Sequence, residues 1–262
     1  MKTVLVTGAS SGIGRLTADL LHKRGWVVWG ASRSIERLEP KPAFKCVALD
    51  VDDEANVAAV LERVGTLDAV INCAGWVLTG AIEETTTADA RRQFDTNYFG
   101  VVTICRFAAT QMRARGSGTI VNVASVAGHI PMAFQAHYSA SKAALIMLTR
   151  ALRLELAPFN VRVVSIEPGD FSTGITAARK LSVPVERSAY PAFARTLAVI
   201  NRDEMSAAPA DEVAERIANV LDQRRPPAAI LVGQFIQRFA VTLRALLPAR
   251  LFDWVLTKLY SL

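Results

Sequence analysis

"KTVLVTGASSGIGRLTADLLHKRG", residues 2–25, is the stretch on which the fold turns. Lys2 to Val6 is short and β-branched, as a buried strand requires. Glycines follow, and then apolar positions recur at helical spacing up to Gly25. Strand, glycine turn and helix make half of a βαβ unit. Gly8, Gly12 and Gly14 are spaced GxxxGxG. Glycine permits a tight turn and lets a ligand approach the backbone, and the first turn of a helix presents free N–H groups and partial positive charge. Such a turn fits a pyrophosphate, with Ser10, Ser11 and Ile13 beside the glycines; an ordinary structural strand-to-helix turn is the competing reading.

The next segments extend the pattern. "GWVVWGASR" (25–33) is a second strand, and a carboxylate at its end would bind the 2′-hydroxyl of an NAD ribose. Ala31, Ser32 and Arg33 stand there instead, which favours the 2′-phosphate of NADP(H), with Arg15 as a weaker second candidate. A solvated loop residue is the other reading of Arg33. "FKCVALDVDD" (44–53) and "LDAVINCAG" (67–75) are the third and fourth strands. In an open parallel sheet ligands lie at the carboxyl ends of the strands, so Asp50, Val51, Asn72, Ala74 and Gly75 face the glycine turn's crevice. Cys73 in this strand end has no partner that would make it a nucleophile and reads as a structural thiol.

"GTIVNVASVAGHIP" (118–131) is another strand, whose end brings the Ser125 hydroxyl to the same edge. Tyr138 and Lys142, four residues apart in "AHYSASKAAL" (136–145), share one face of a helix, with Cβ atoms roughly 5–6 Å apart. A phenol beside an ammonium suits proton transfer to or from an alcohol oxygen, because the cation favours phenolate. Ser125 would hydrogen-bond the substrate oxygen. Asn97, in "QFDTNYFG" (93–100) within a long helix, is either a water anchor for proton relay or a helix-packing residue.

TGASSGIG (7–14), NCAG (72–75), Asn97, Ser125, YSASK (138–142) and EPGDFST (167–173) occur in the order and spacing of the classical short-chain dehydrogenases/reductases, which the chain resembles over about residues 3 to 173. NCAG departs from the more usual NNAG. The resemblance implies a doubly wound, Rossmann-like α/β sandwich with seven mostly parallel strands and metal-free hydride transfer. It also implies homodimers or homotetramers. It carries a catalytic tetrad onto Asn97, Ser125, Tyr138 and Lys142, with Tyr138 as acid/base and Lys142 also holding the nicotinamide ribose. Pro168, Gly169 and Thr173 match positions at the nicotinamide end.

The chain has 262 residues, 51% hydrophobic and 21% charged, with no linker-like tract; this reads as one catalytic domain, 1–233, and a helical extension, 234–262. The net charge of +6 is dispersed along the chain, which argues against nucleic acid as a partner. Three scattered cysteines make neither a disulfide framework nor a metal site and suit a reducing cytoplasm, and no secretion signal precedes the first strand. Residues 172–205 read as a segment closing over the substrate; with Trp76, Val77, Leu78, Ile130, Met132 and Phe134 it would line a pocket for a lipophilic ketone, aldehyde or alcohol. Beyond Pro248 an amphipathic helix places Leu251, Phe252, Val255, Leu256, Leu259 and Tyr260 opposite Arg250, Asp253, Thr257 and Ser261. It is too short and too charged to span a bilayer. Three uses compete for it: covering the pocket, packing in an oligomer, or lying on a membrane surface. Altogether the sequence predicts an NADP(H)-dependent alcohol/carbonyl oxidoreductase, with a non-catalytic dinucleotide sensor on the same fold as the rival.

Overall fold

The computed structural model of the protein describes residues 1–35, 38, 40–172 and 179–260. Along the first half run β1 (Thr3–Thr7), α1 (Gly12–Lys23), β2 (Val27–Ser32), β3 (Lys45–Ala48), α2 (Glu54–Val64), β4 (Ala69–Asn72), β5 (Leu78–Thr79), α3 (Thr87–Phe94) and α4 (Gly100–Arg115). Then come β6 (Gly118–Val123), α5 (Ala136–Leu156), β7 (Val161–Pro168), β8 (Lys180–Leu181), α6 (Ala192–Met205), α7 (Asp211–Asp222), β9 (Ala229–Val232), α8 (Phe235–Leu246) and α9 (Ala249–Leu259).

The large sheet has the order β3-β2-β1-β4-β6-β7-β9, and every pairing in it is parallel. This is the Rossmann-like α/β sandwich. Parallel strands need crossover helices, and these cover both faces, so the strands are apolar throughout rather than alternating. One face packs Ala18 and Leu21 of α1 and Val213, Ile217 and Leu221 of α7 against Val4, Val6, Ile71 and Val164. The other packs Val57 of α2, Ile104 and Met112 of α4 and Leu145 of α5 against Leu5, Val70, Ile120 and Val163. The strand order reverses at β1, which sits between β2 and β4, and a crevice opens there at the strands' carboxyl ends.

Three features depart from the sequence reading. The first strand runs one residue later than expected, Thr3 to Thr7, because the Thr3 N–H donates to Asp68 Oδ2 at 2.8 Å and starts the β1–β4 pairing there. A second small sheet, β5 with β8, lies outside the main one. The long helix carrying Asn97 is interrupted between α3 and α4 by a π-helical turn, Asp95–Phe99. Such a bulge re-aims a side chain and recurs at functional sites; here it turns Asn97 fully inward.

Candidate active site

The crevice begins at the glycine turn. Gly8 has φ +66°, and a Cβ there would come within 2.9 Å of the Ala74 backbone nitrogen. A Cβ on Gly14 would lie 2.3 Å from the Gly8 carbonyl oxygen. Both positions therefore exclude larger residues on steric grounds. The α1 N-terminus opens into the crevice with no acidic residue in its first turn, which suits an anion at that point. Gly8, Ser10, Ser11, Gly12, Ile13, Gly14, Arg33, Asp50, Val51, Ala74 and Gly75 line this cleft. Thr7, which sequence reasoning missed, ties its floor together: its Oγ1 accepts from the N–H groups of Cys73 and Ala74, both at 3.1 Å.

Two expected cofactor residues behave differently. Asn72 is 1% exposed, and its amide donates to Asn122 Oδ1 at 2.8 Å across the β4–β6 pair, so it braces the sheet beneath the cleft instead of lining it. Arg15 pairs with Asp19 at 2.7 Å on its own helix and stays off the cleft lining, whereas Arg33 lines it and is exposed at the end of β2. Thr173 lies outside the described residues.

The cleft continues into a second pocket across Ile13, Cys73, Gly75, Trp76 and Val123, which border both. Ser125, Tyr138, Lys142, Pro168 and Gly169 all line this second pocket. Ser125 follows β6, accepts from the Ala127 N–H at 3.1 Å, donates to the Pro168 carbonyl at 3.3 Å and lines the pocket beside Tyr138, whose phenol it lowers. Lys142 is 6% exposed and donates to the Val123 carbonyl at 2.9 Å, with its Nζ 5.8 Å from the centre of the Tyr138 ring.

The charge balance corrects one expectation. Burial, together with the nearby Glu204 and Asp170 carboxylates, pushes the Tyr138 phenol up to about 12, against a lowering from its Ser125 hydrogen bond and Arg179. Burial also pulls the Lys142 ammonium down to about 8. Loss of solvent is the largest influence on the phenol, so its proton is held more tightly than the Tyr138–Lys142 spacing suggested. Tyr138 is a neutral phenol holding its proton. Cys73 is likewise inert as a nucleophile, its thiol raised to about 12 by burial.

Asn97 sits beside this pocket rather than in its lining. Its amide nitrogen donates to the Trp76 carbonyl at 3.1 Å and to Ser141 Oγ at 3.3 Å, while its oxygen accepts from the Trp76 N–H at 3.1 Å. The side chain thus clamps the loop after β4. Gln93, unforeseen from the sequence, holds the same loop by donating to the Trp76 carbonyl and accepting from the Leu78 N–H, both at 2.7 Å.

The substrate side is more polar than the sequence suggested. Trp76, Val77, Met132 and Phe171 do line the pocket, but Leu78 and Ile130 are core and Phe134 packs against Tyr190 and Phe193. From α6 the lining residue is Glu204, because the helix turns its apolar face, with Phe193 and Ile200, into the body. Asp170 and Gln135 complete the lining. The tail is tied down at both ends, at this rim and on α6. Gln237 of α8 donates to Asp170 Oδ2 at 2.6 Å, and Thr196 of α6 donates to the Tyr260 carbonyl at 2.8 Å. The apolar stripe expected on α9 is split: Phe252 and Tyr260 are buried, while Leu251, Trp254, Val255 and Leu259 are exposed.

The family model for short chain dehydrogenases matches residues 2–183. This chain is a short-chain dehydrogenase/reductase. Family membership makes it an oxidoreductase that binds a nicotinamide dinucleotide, and the cleft over the glycine turn fits such a group because the α1 N-terminus, with no acidic residue in its first turn, and Arg33 both border it. A 3-ketodihydrosphingosine reductase of Bacteroides thetaiotaomicron is 32% identical, over 99% of this chain and 98% of that protein. An NADPH-dependent 1-acyldihydroxyacetone phosphate reductase of Schizosaccharomyces pombe is 38% identical over 66% of this chain and 61% of that protein. Among solved structures, a short-chain dehydrogenase from Streptomyces avermitilis superposes with a TM-score of 0.82 at 34% identity, covering 97% of both chains.

Proposed function

We propose that the enzyme reduces a ketone on a lipophilic substrate with NADPH, and that Tyr138 is the proton donor. The observation that carries this reading is the half-buried Tyr138 phenol sharing one pocket with Ser125 and Lys142, a pocket continuous with the glycine cradle. The rims Ser10 to Gly14, Ala74 and Gly75 would hold the dinucleotide, with Arg33 at its 2′-phosphate. When bound, the nicotinamide supplies the hydride. Ser125 donates a hydrogen bond to the carbonyl oxygen as negative charge grows on it, and Tyr138 gives that oxygen its proton. Lys142, positive below about 8, lies within reach to stabilise the phenolate that Tyr138 becomes. Asn97 and Gln93 position Trp76 at the pocket wall.

The apolar lining Trp76, Val77, Met132 and Phe171 supports a lipophilic substrate, as do relatives named for keto- and acyl-bearing substrates. Exposed Phe99 beside α4 and Met147 and Leu154 on α5 support a homo-oligomer packed through those helices. We place the enzyme in the cytoplasm, with the outer face of the tail on an anionic membrane surface. No helix among the described residues is long and apolar enough to cross a membrane. Half of the exposed large hydrophobic side chains among the described residues lie on α8 and α9, interleaved with Arg238, Arg244, Arg250 and Lys258.

The test is NADPH oxidation with a panel of medium- and long-chain ketones, by wild type and Tyr138→Phe. The variant should lose at least about 100-fold in turnover, in line with removal of a general acid, while still quenching on NADPH titration. Turnover retained by the variant would overturn the assignment. No turnover by wild type on any ketone would favour the sensor reading.

A further inference from the structure

The pocket holds more charge than ketone reduction requires. Asp170 follows the Pro168-Gly169 turn at the end of β7 and lines the same pocket as Tyr138 and Ser125, and Glu204 enters from α6. Both carboxylates share that lining with Tyr138 and raise its phenol through space. The cation nearest them is already engaged. Arg179, 4% exposed at its side chain, pairs with Glu204 and also donates to Asn201. Asp170 receives its hydrogen bond from a neutral group, the Gln237 amide, at 2.6 Å. Asp203 adds a further negative charge to its surroundings. The Lys142 ammonium is turned to the Val123 carbonyl.

A carboxylate drawn into a pocket with a neutral hydrogen-bond partner, and with Arg179 acting on it only while paired to Glu204, has lost more solvation than it has regained. In the apolar half of the pocket, contributed by Trp76, Val77, Met132 and Phe171, an alkyl chain suffices as ligand. A carboxylate beside the reacting centre has no use for one. An independent observation points the same way. Gln135, just ahead of α5, is 2% exposed and lines this pocket, yet its amide nitrogen has no hydrogen-bond partner among the described residues. Buried polar atoms are nearly always satisfied, so an orphan facing a binding pocket marks a polar atom the ligand brings.

Resting on the ketone-reduction reading above, we infer that Asp170, backed by the Arg179–Glu204 pair, binds a protonated amino group that the substrate carries next to its reducible carbonyl. The substrate class is then an α-amino ketone with an apolar chain. Asp170 takes the ammonium, Gln135 donates to a further oxygen or to the carbonyl itself, and the chain lies toward Trp76 and Phe171. Asp170 is a specificity residue in this scheme; proton delivery stays with Tyr138. The ammonium also fixes which face of the carbonyl turns toward the dinucleotide cleft, because the amine and the carbonyl are held at two separate points.

The experiment compares three substrates of equal chain length with NADPH: a medium-chain 2-aminoalkan-3-one, its N-acetyl derivative and the plain alkan-3-one. Wild type should favour the amino ketone over both analogues by about ten- to a hundred-fold in kcat/KM, the range of a hydrogen bond to a charged group. The difference should fall mainly on KM. In Asp170→Asn the ratio of amino ketone to plain ketone should fall toward one. If Asp170 served only to hold the tail through Gln237, that substitution would lower both substrates together and leave the ratio where it was. The wild-type comparison needs no variant and stands even if Asp170→Asn folds poorly. Turnover of all three without preference, or a preference for the plain ketone, overturns the ammonium site while leaving ketone reduction standing. Absence of turnover on all three overturns the underlying reading and this proposal with it.

Discussion

Replacing Asp170 by Asn should make the protein more stable at neutral pH. The Asp170 carboxyl is pushed up from its ordinary 3.8 to about 6, chiefly by burial and then by Glu204 and Asp203, against smaller lowering by the Gln237 hydrogen bond and Arg179. A carboxyl whose proton is held more tightly in the folded state contributes stability below its unfolded pKa, and that contribution is lost as pH rises through the folded value. Above about 6 the folded protein therefore carries an ionised group it would hold more easily as a neutral one. At about 1.4 kcal/mol per tenfold change in the proton equilibrium, the cost approaches about 3 kcal/mol as an upper limit. Solvent at the pocket mouth reduces it to about 1.5–3 kcal/mol. Asn keeps the shape and still accepts from Gln237, so most of that cost should be recovered. For a chain of this size the gain corresponds to a rise in Tm of about 3–10 °C. At pH 4.5 the folded carboxyl is already protonated and only the unfolded chain still ionises, so the gain should drop to about 1 kcal/mol or less. Calorimetry of both proteins at pH 7.5 and 4.5 measures this. No gain at pH 7.5, or an equal gain at both values, would refute the view that Asp170 is a desolvated carboxylate. Such a cost is expected of a residue kept for its ligand rather than for the fold.

Other outcomes follow from the same geometry. The pH profile of ketone reduction should fall as pH rises through about 8, where Lys142 loses its charge, with no further break from Tyr138 below about 12; a flat rate from pH 7 to 9.5 would remove Lys142 from the mechanism. Arg33→Ala should weaken NADPH binding about tenfold or more and NADH binding far less in fluorescence titration; equal losses would undo the cofactor preference. The protein should co-sediment with phosphatidylglycerol vesicles and much less with phosphatidylcholine vesicles, and Trp254→Glu should abolish the difference. If Trp254→Glu instead dissociated an oligomer in light scattering without affecting vesicle binding, the tail would be a subunit interface.

Much of this enzyme is written locally in its chain. Strand, glycine turn and helix over residues 2–25 declare a parallel α/β sheet, since β-branched runs, positive-φ glycines and helical periodicity act over a few residues each. The sheet's carboxyl edge then follows from topology, and Ser125, Tyr138 and Lys142 could be placed on one pocket from spacing alone. What spacing could not reveal was where distant segments bring their charges. That Asp170 and Glu204 face Tyr138, that Asn97 and Gln93 clamp Trp76, and that Gln237 returns from α8 to the Pro-Gly turn are contacts between residues far apart in the chain. The protonation of Tyr138 belongs with them: the sequence sets a cation four residues away, but burial, a property of the assembled pocket, is the largest influence on the phenol. The tail is the same case. Its apolar stripe is visible in the sequence, yet only docking against α6 decides that Phe252 and Tyr260 go inside and Trp254 stays out, because burial is settled by the neighbour and not by the helix.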